Sequence, residues 1–222
     1  MIKKSAFAIG VIGLMLNSCI EHEVIPAPTP EVELNCSFEG NIGGAFVQYT
    51  ENVNGYSCFP SISKQTLGGV TSAQYLFSMR SATQIPYIQV GLGSISWDDP
   101  TGTQTPALSL FNGFFAAYDT PNYSDNAYSG FEVAFVDAVG DVWSSSDVSI
   151  PQDVEFELNS IKQESDVSGD YSKFICNFNC FIYHTYSVVD ITVVPQTTPP
   201  TMTDSLASMF IDNAIYHGFF KR

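Results

Sequence analysis

Hydrophobic and polar residues alternate with a period of two over much of this chain. Leu34, Cys36 and Phe38 stand between polar neighbours, as do Ile88, Val90 and Leu92, and Phe131, Val133 and Phe135 repeat the pattern. Val154, Phe156 and Leu158 do the same, with Asp153, Glu155 and Glu157 on the opposite face. The longest stripe is Phe174, Cys176, Phe178, Cys180 and Ile182. A period of two sends alternate side chains to opposite faces of a strand, so each segment predicts a strand with one face buried. Turn signals separate them: Gly68-Gly69, Asp98-Asp99-Pro100-Thr101-Gly102, Asp137 to Asp141 and Ser168-Gly169-Asp170 supply the backbone angles that tight reversals need. No stretch carries a sustained helical stripe; Ser205 to Asp212 is the one candidate for a short helix, in competition with a hairpin strand. Many short strands joined by Gly and Asp turns predict an all-β fold, an antiparallel β-sandwich, with jelly-roll-like and Ig-like topologies both open.

The first residues depart from this pattern. Met1-Ile2-Lys3-Lys4 is basic, and Ser5 to Leu16 is an uncharged, mostly apolar run, the length of a signal h-region and short of the roughly 20 residues that span a bilayer. Asn17, Ser18, Glu21 and Glu23 end it. Leu16-Asn17-Ser18-Cys19 resembles the lipobox of signal peptidase II substrates, departing at Asn17, where a smaller residue is usual. The resemblance implies that residues 1–18 are a removed lipoprotein signal peptide and that Cys19 carries diacylglycerol as the new N-terminus. The acidic, Pro-containing stretch that follows reads as an extended spacer, so residues 19–31 form a lipid anchor and flexible linker. Residues 32–222 are expected to be a single β-sandwich domain, because no second Pro-rich boundary appears before Pro195.

Charge narrows the partners. The chain has 8 basic and 23 acidic residues; without Lys3 and Lys4 the mature chain has 6 against 23, a formal charge of −17. That balance excludes most nucleic-acid and polyanion partners, which need clustered Lys and Arg. It also opposes an anionic membrane surface and leaves the lipid as the attachment. Charged residues are only 14% of the chain, against about 25% in ordinary domains, so Ser, Thr, Asn, Gln and Tyr cover much of the surface, as in secreted β-rich proteins.

With Cys19 assigned to lipid, Cys36, Cys58, Cys176 and Cys180 remain. An exported chain with four cysteines predicts two disulfides in one of three connectivities. Cys176 and Cys180 share one strand face, about 13 Å apart at ~3.3 Å per residue, beyond the roughly 7 Å between Cα atoms that a disulfide bridges. The expected partners of both are therefore Cys36 and Cys58; the alternative is buried free thiols acting as small apolar side chains.

Candidate chemistry is sparse. There is no G-x-S-x-G elbow, and His22, His184 and His217 are scattered, so nothing suggests a Ser-His-Asp arrangement. Glu155 and Glu157 share one outward face, unlike the opposed carboxylates of a glycosidase. No catalytic residue, cofactor or metal site is assigned. Calcium fits best among metals, at Asp98-Asp99 and at Asp137 to Asp141, although Asp at a turn ordinarily caps backbone. Flat aromatic rings on a β scaffold stack on sugars while neighbouring Asp and Asn bind hydroxyls. Trp97 beside Asp98 and Asp99, with Tyr118, Tyr123 and Tyr128, are the candidates for such a site. Trp143 follows a tight turn and is expected to pack at the core edge.

Tyr123-Ser124, Asn126-Ala127, Gly130-Phe131-Glu132-Val133, Asp137, Gly140, Trp143-Ser144-Ser145, Phe178-Asn179-Cys180 and Gly218-Phe219-Phe220 resemble a group of outer-membrane lipoproteins of the Bacteroidota, flavobacteria above all. The resemblance covers roughly the back half of the chain and brings no activity with it. It implies a β-sandwich on a lipid anchor, and the acidic Glu21 and Glu23 after Cys19 partly resemble that phylum's surface-export signal. The expected role is a surface-exposed, non-catalytic binding or accessory module of the outer membrane, in an envelope complex or with a glycan. Rival readings are a dedicated glycan-binding lipoprotein and a hydrolase with an unrecognised site.

Overall fold

A computed structural model describes residues 30–117, 121–124, 129–146, 152, 156–192 and 199–222. Ten strands carry the fold: β1 (Ser37–Ile42), β2 (Ala45–Thr50), β3 (Tyr56–Leu67), β4 (Val70–Ser81), β5 (Tyr87–Asp98), β6 (Gly130–Val136), β7 (Val142–Ser144), β8 (Phe156–Asp166), β9 (Gly169–Val189) and β10 (Met202–Lys221). Among the described residues there is one helix, α1 (Leu108–Ala117), between β5 and β6. Every strand pairing is antiparallel, in one continuous sheet of order β2-β1-β10-β9-β7-β6-β5-β4-β3, with β8 also on β9. The all-β reading therefore holds.

The period-two stripes become the core. Ile88, Val90 and Leu92 of β5, Phe131, Val133 and Phe135 of β6, and Phe174 to Ile182 on alternate positions of β9 are all buried. The sheet curls so that β4 and β5 face β9 and β10. The Phe77 ring lies 5.8 Å from Phe174 at 89° and 5.7 Å from Tyr216. Tyr216 Oη donates a hydrogen bond to the Ile88 carbonyl (3.1 Å). This satisfies the phenol inside an aromatic core.

Helix α1 was not expected. Phe111 and Phe115, four residues apart, form its buried face. They meet Tyr75 at 5.2 and 5.5 Å, and Phe115 stacks on Phe220 at 4.9 Å. A ten-residue helix with two inward aromatics is too brief to leave a sequence stripe. Ser205 to Asp212, the helix candidate, lies instead within β10, where β9 pairs it in unbroken register from Met202 to Ile211.

The disulfide pairing differs from expectation. Cys36, just before β1, bonds Cys58 of β3 with Cα atoms 6.0 Å apart, while Cys176 and Cys180 are free and buried. Curling brings the two ends of the sheet together, and Tyr49 of β2 stacks on Tyr56 of β3 at 4.4 Å beside the bridge. The β9 cysteines instead face the core as small apolar side chains, and burial pushes both thiols up.

Residues 31–222 cluster as one unit, and β9 and β10 are its two longest strands. The base of their hairpin is tied by Val32 N donating to Asp166 Oδ2 (2.8 Å) and by Arg222 pairing with Asp170 (2.6 Å). Hydrogen bonds from Ser168 Oγ and the Val32 amide hold the Asp166 carboxyl down at about 2. At the other end β10 runs beyond its last β1 partner (Ile42 to Ile211), and β9 beyond its single register pair with β7 (Ser144 to Tyr183), as a two-stranded ribbon. From Tyr171 to Val189 the strand spans about 60 Å at ~3.3 Å per residue.

Gly218 tests the packing where the two halves meet. An added Cβ would lie 2.5 Å from Phe77 Cε1 and 2.8 Å from Phe174 Cζ. Gly218→Ala is expected to destabilise the protein by about 1–3 kcal/mol through overpacking, read as a lower urea midpoint with an unchanged m-value.

Candidate functional site

Each described aromatic or acidic residue of the expected sugar site is engaged by the fold, with the exception of Asp98. Trp97 is half-buried against the core, with Lys64 Nζ 5.5 Å from its ring centre. Asp99 is buried. Its carboxylate accepts hydrogen bonds from Thr101 N (3.1 Å), Thr101 Oγ1 (2.7 Å) and Gln104 N (2.9 Å), and its carbonyl accepts one from Thr71 Oγ1 (2.7 Å). Burial pushes this carboxyl up, but those bonds together hold it below the usual range. Asp98 is exposed at the end of β5. Tyr123 Oη donates to the Asn179 carbonyl (2.7 Å), its ring packs edge-on to Phe131 at 5.6 Å, and burial pushes its phenol up. Asp99 and Tyr123 are thus structural ties rather than surface contacts. Tyr118, Tyr128 and Cys19 lie outside the described residues.

A different set of rings comes together where β7 meets the ribbon. The turn before β7 is built on Asp137, whose Oδ1 accepts the amides of Val139 (2.9 Å), Gly140 (3.0 Å) and Asp141 (3.0 Å). Its Oδ2 accepts the Trp143 indole N–H (3.1 Å) and fixes that ring. Burial raises this carboxyl, yet the four donors hold it below the ordinary carboxylate range. Asp137 and Asp99, the hard-oxygen positions considered for calcium, are therefore filled with N–H and O–H donors, the ordinary work of Asp at a turn.

From β9, His184 brings its ring to 5.3 Å from Trp143, with Nδ1 2.9 Å from the Val142 carbonyl and Nε2 3.9 Å from Asp141 Oδ2. Two residues on, the Tyr186 ring lies 6.2 Å from His184 and within 8° of parallel. Its Oη accepts a hydrogen bond from Ser205 Oγ (3.4 Å) across the ribbon. His184 and Tyr186 share a strand face because they are two apart. That face continues the buried row ending at Ile182. The result is an aromatic strip, Trp143, His184, Tyr186, running from the core edge onto the ribbon. Tyr186 is 43% exposed, and the Asp141 side chain at its flank is 51% exposed. Residues 181–192 and 199–210 contain no Lys or Arg. Apolar ring faces edged by a carboxylate and hydroxyls, without cations, suit a neutral polyhydroxylated ligand. The period-two run His184-Thr185-Tyr186 was the available sequence signal; its pairing with Trp143 depends on the β7 to β9 contact.

An open cleft of about 510 Å³ lies near the disulfide, lined among others by Ser37, Thr50, Glu51, Lys162, Lys173 and His217. Ser37 and His217 face each other across β1 and β10, but neither side chain hydrogen-bonds a described residue, so no nucleophile and base are joined there. Lys162 and Lys173 both pair with Glu164. Glu51 stands beside Cys36 and Cys58, whose sulfurs are used by the disulfide. Compared with protein-family models, with curated proteins and with solved structures, the chain gives no match.

Proposed function

We propose that this protein is a lipid-tethered, non-catalytic binding module displayed on an outer membrane, and that its ligand surface is the strip of Trp143, His184 and Tyr186. The observation that carries the reading is that strip: three successive rings partly open to solvent, beside the half-exposed Asp141. Its place in the fold suits a tether. The domain begins at the base of the long hairpin, where Val32 is held by Asp166, and Tyr186 lies toward the far end of the same β9 strand. A lipid on Cys19 then holds the base at the membrane and presents the strip outward, in keeping with the lipobox-like Leu16 to Cys19 and the resemblance to Bacteroidota outer-membrane lipoproteins. The packing of β4 and β5 over β9 and β10 supports reading the curled sheet as a flattened sandwich.

A carbohydrate is the ligand class that the strip favours, since sugar rings present C–H faces to aromatics and hydroxyls to Asp141 and Ser205. In gels containing neutral polysaccharides the full chain is expected to be retarded, with hydrolysis of neither polymer nor model ester. Tyr186→Ala removes stacking worth about 1 kcal/mol and weakens binding roughly fivefold, with the thermal transition unchanged. Retardation that is indifferent to Tyr186 and Trp143 would remove the strip from the account.

A further inference from the structure

Along its β10 edge the ribbon has no neighbouring strand among the described residues. The Phe210 carbonyl accepts the Gly43 amide (2.9 Å) on the β1 side of β10. Alternate residues of an antiparallel strand direct their backbone groups to the same side, and the register with β9 is unbroken from Met202 to Ile211. Ser208, Leu206, Asp204 and Met202 therefore also point their N–H and C=O groups away from β9. No strand among the described residues pairs there, because β1 leaves β10 at Ile211.

Exposed edges are normally guarded by Lys, Pro, bulges or shortness. Three of the other edges follow that rule: β3 contains Pro60 and Lys64, β8 contains Lys162, and β2 has six residues and abuts β3 at Tyr49 and Tyr56; the opposite edge of the ribbon, β9 beyond Tyr183, also lacks Lys and Pro. Met202 to Phe210 (MTDSLASMF) contains no Lys, Arg or Pro, and the β10 bulge comes only after Ile211. Met202 and Leu206 are exposed along it.

We infer that this edge pairs with the same edge of a second copy of the chain, antiparallel about a two-fold axis at Leu206. The sequence is self-complementary in that register. Leu206 meets Leu206, Asp204 faces Ser208 rather than another carboxylate, and Met202 faces Phe210. Like charges stay apart and apolar side chains share one face, as stable cross-strand pairs require. Asp204 already accepts a hydrogen bond from Ser187 Oγ (2.9 Å), which holds its charge on the ribbon. The ribbon segments 181–192 and 199–210 otherwise carry only Asp190 as a formal charge, so two chains of strong net negative charge meet along a sparsely charged part. An isologous pairing of this kind closes on itself as a dimer.

The test uses the full-length lipidated protein in detergent. Light scattering is expected to give a dimer mass for the protein component. Leu206→Cys chains are expected to cross-link to one another on mild oxidation. Asp204→Cys and Ser208→Cys chains should cross-link efficiently only when mixed, at least tenfold more than either alone. Leu206→Pro deletes an outward N–H without touching the β9 ladder and should shift the mass to monomer; Leu206→Lys, which leaves the backbone intact, should do the same if the proline variant fails to fold. A monomer at all concentrations overturns the inference. So does a dimer that survives Leu206→Lys, cross-linking of Asp204→Cys chains alone as strong as in the mixture, or a different protein occupying the edge stoichiometrically.

Discussion

Replacing Cys36 and Cys58 together by Ser is expected to lower the free energy of unfolding by about 3 kcal/mol. The bridge closes a loop of sequence separation 22, and the chain-entropy relation gives about that figure for a loop of this size. Against a total of about 5–15 kcal/mol for a native domain, that is a large share. Position adds to the loss. The bridge joins the segment just before β1 to β3, linking the β2–β1 end of the sheet path to the β3 end, where no continuous strand ladder crosses. Without it, the β2 and β3 ends are held by contacts such as the Tyr49 to Tyr56 stack. Urea unfolding of the double variant should therefore show a lower midpoint. Cys176→Ala and Cys180→Ala should show no effect of added reductant beyond that of the parent chain, since neither thiol is bonded. Non-reducing peptide mapping should join the Cys36 and Cys58 peptides. A map joining Cys176 or Cys180 to either would refute the pairing.

The second large effect concerns attachment. Cys19→Ser is expected to abolish the lipid mass at the N-terminus and to move the protein from the membrane to the soluble fraction, or to leave it unprocessed. Only a thiol can take the diacylglycerol thioether, and residues 19–222, with a formal charge of −17, have little other affinity for an anionic bilayer. Among the described residues no helix is long and apolar enough to cross a membrane, a finding silent on strands. Intact-mass analysis of the wild-type protein showing an unmodified Cys19 would contradict the tether.

Much of the core was legible because a period of two has a direct physical meaning. The stripes through Ile88, Phe131 and Phe174 are buried where the alternation puts them, and the turns at Gly68-Gly69 and Asp137 to Gly140 reverse the chain where they should. Three features were not legible, for a shared reason: each depends on what the curled sheet brings together. Cys36 and Cys58 meet only because the ends of the sheet meet. Helix α1 is fixed by Tyr75 and Phe220, distant in sequence, rather than by its own pattern. Trp143 has His184 as a neighbour across the β7 to β9 contact, 41 positions away in the chain. Conversely, Trp97 and Tyr123 looked available because their partners, Lys64 and the Asn179 carbonyl, come from other strands.

The most direct test of the ligand surface uses the chain's own fluorescence. The protein has two tryptophans, so full-length Trp97→Phe leaves Trp143 as the single reporter and Trp143→Phe leaves Trp97. Titration with a polysaccharide that retards the protein should shift the emission of the Trp97→Phe chain saturably, and Tyr186→Ala in that background should weaken the response roughly fivefold. A saturable shift in the Trp143→Phe chain, with none in the Trp97→Phe chain, would contradict the account and put the ligand at Trp97.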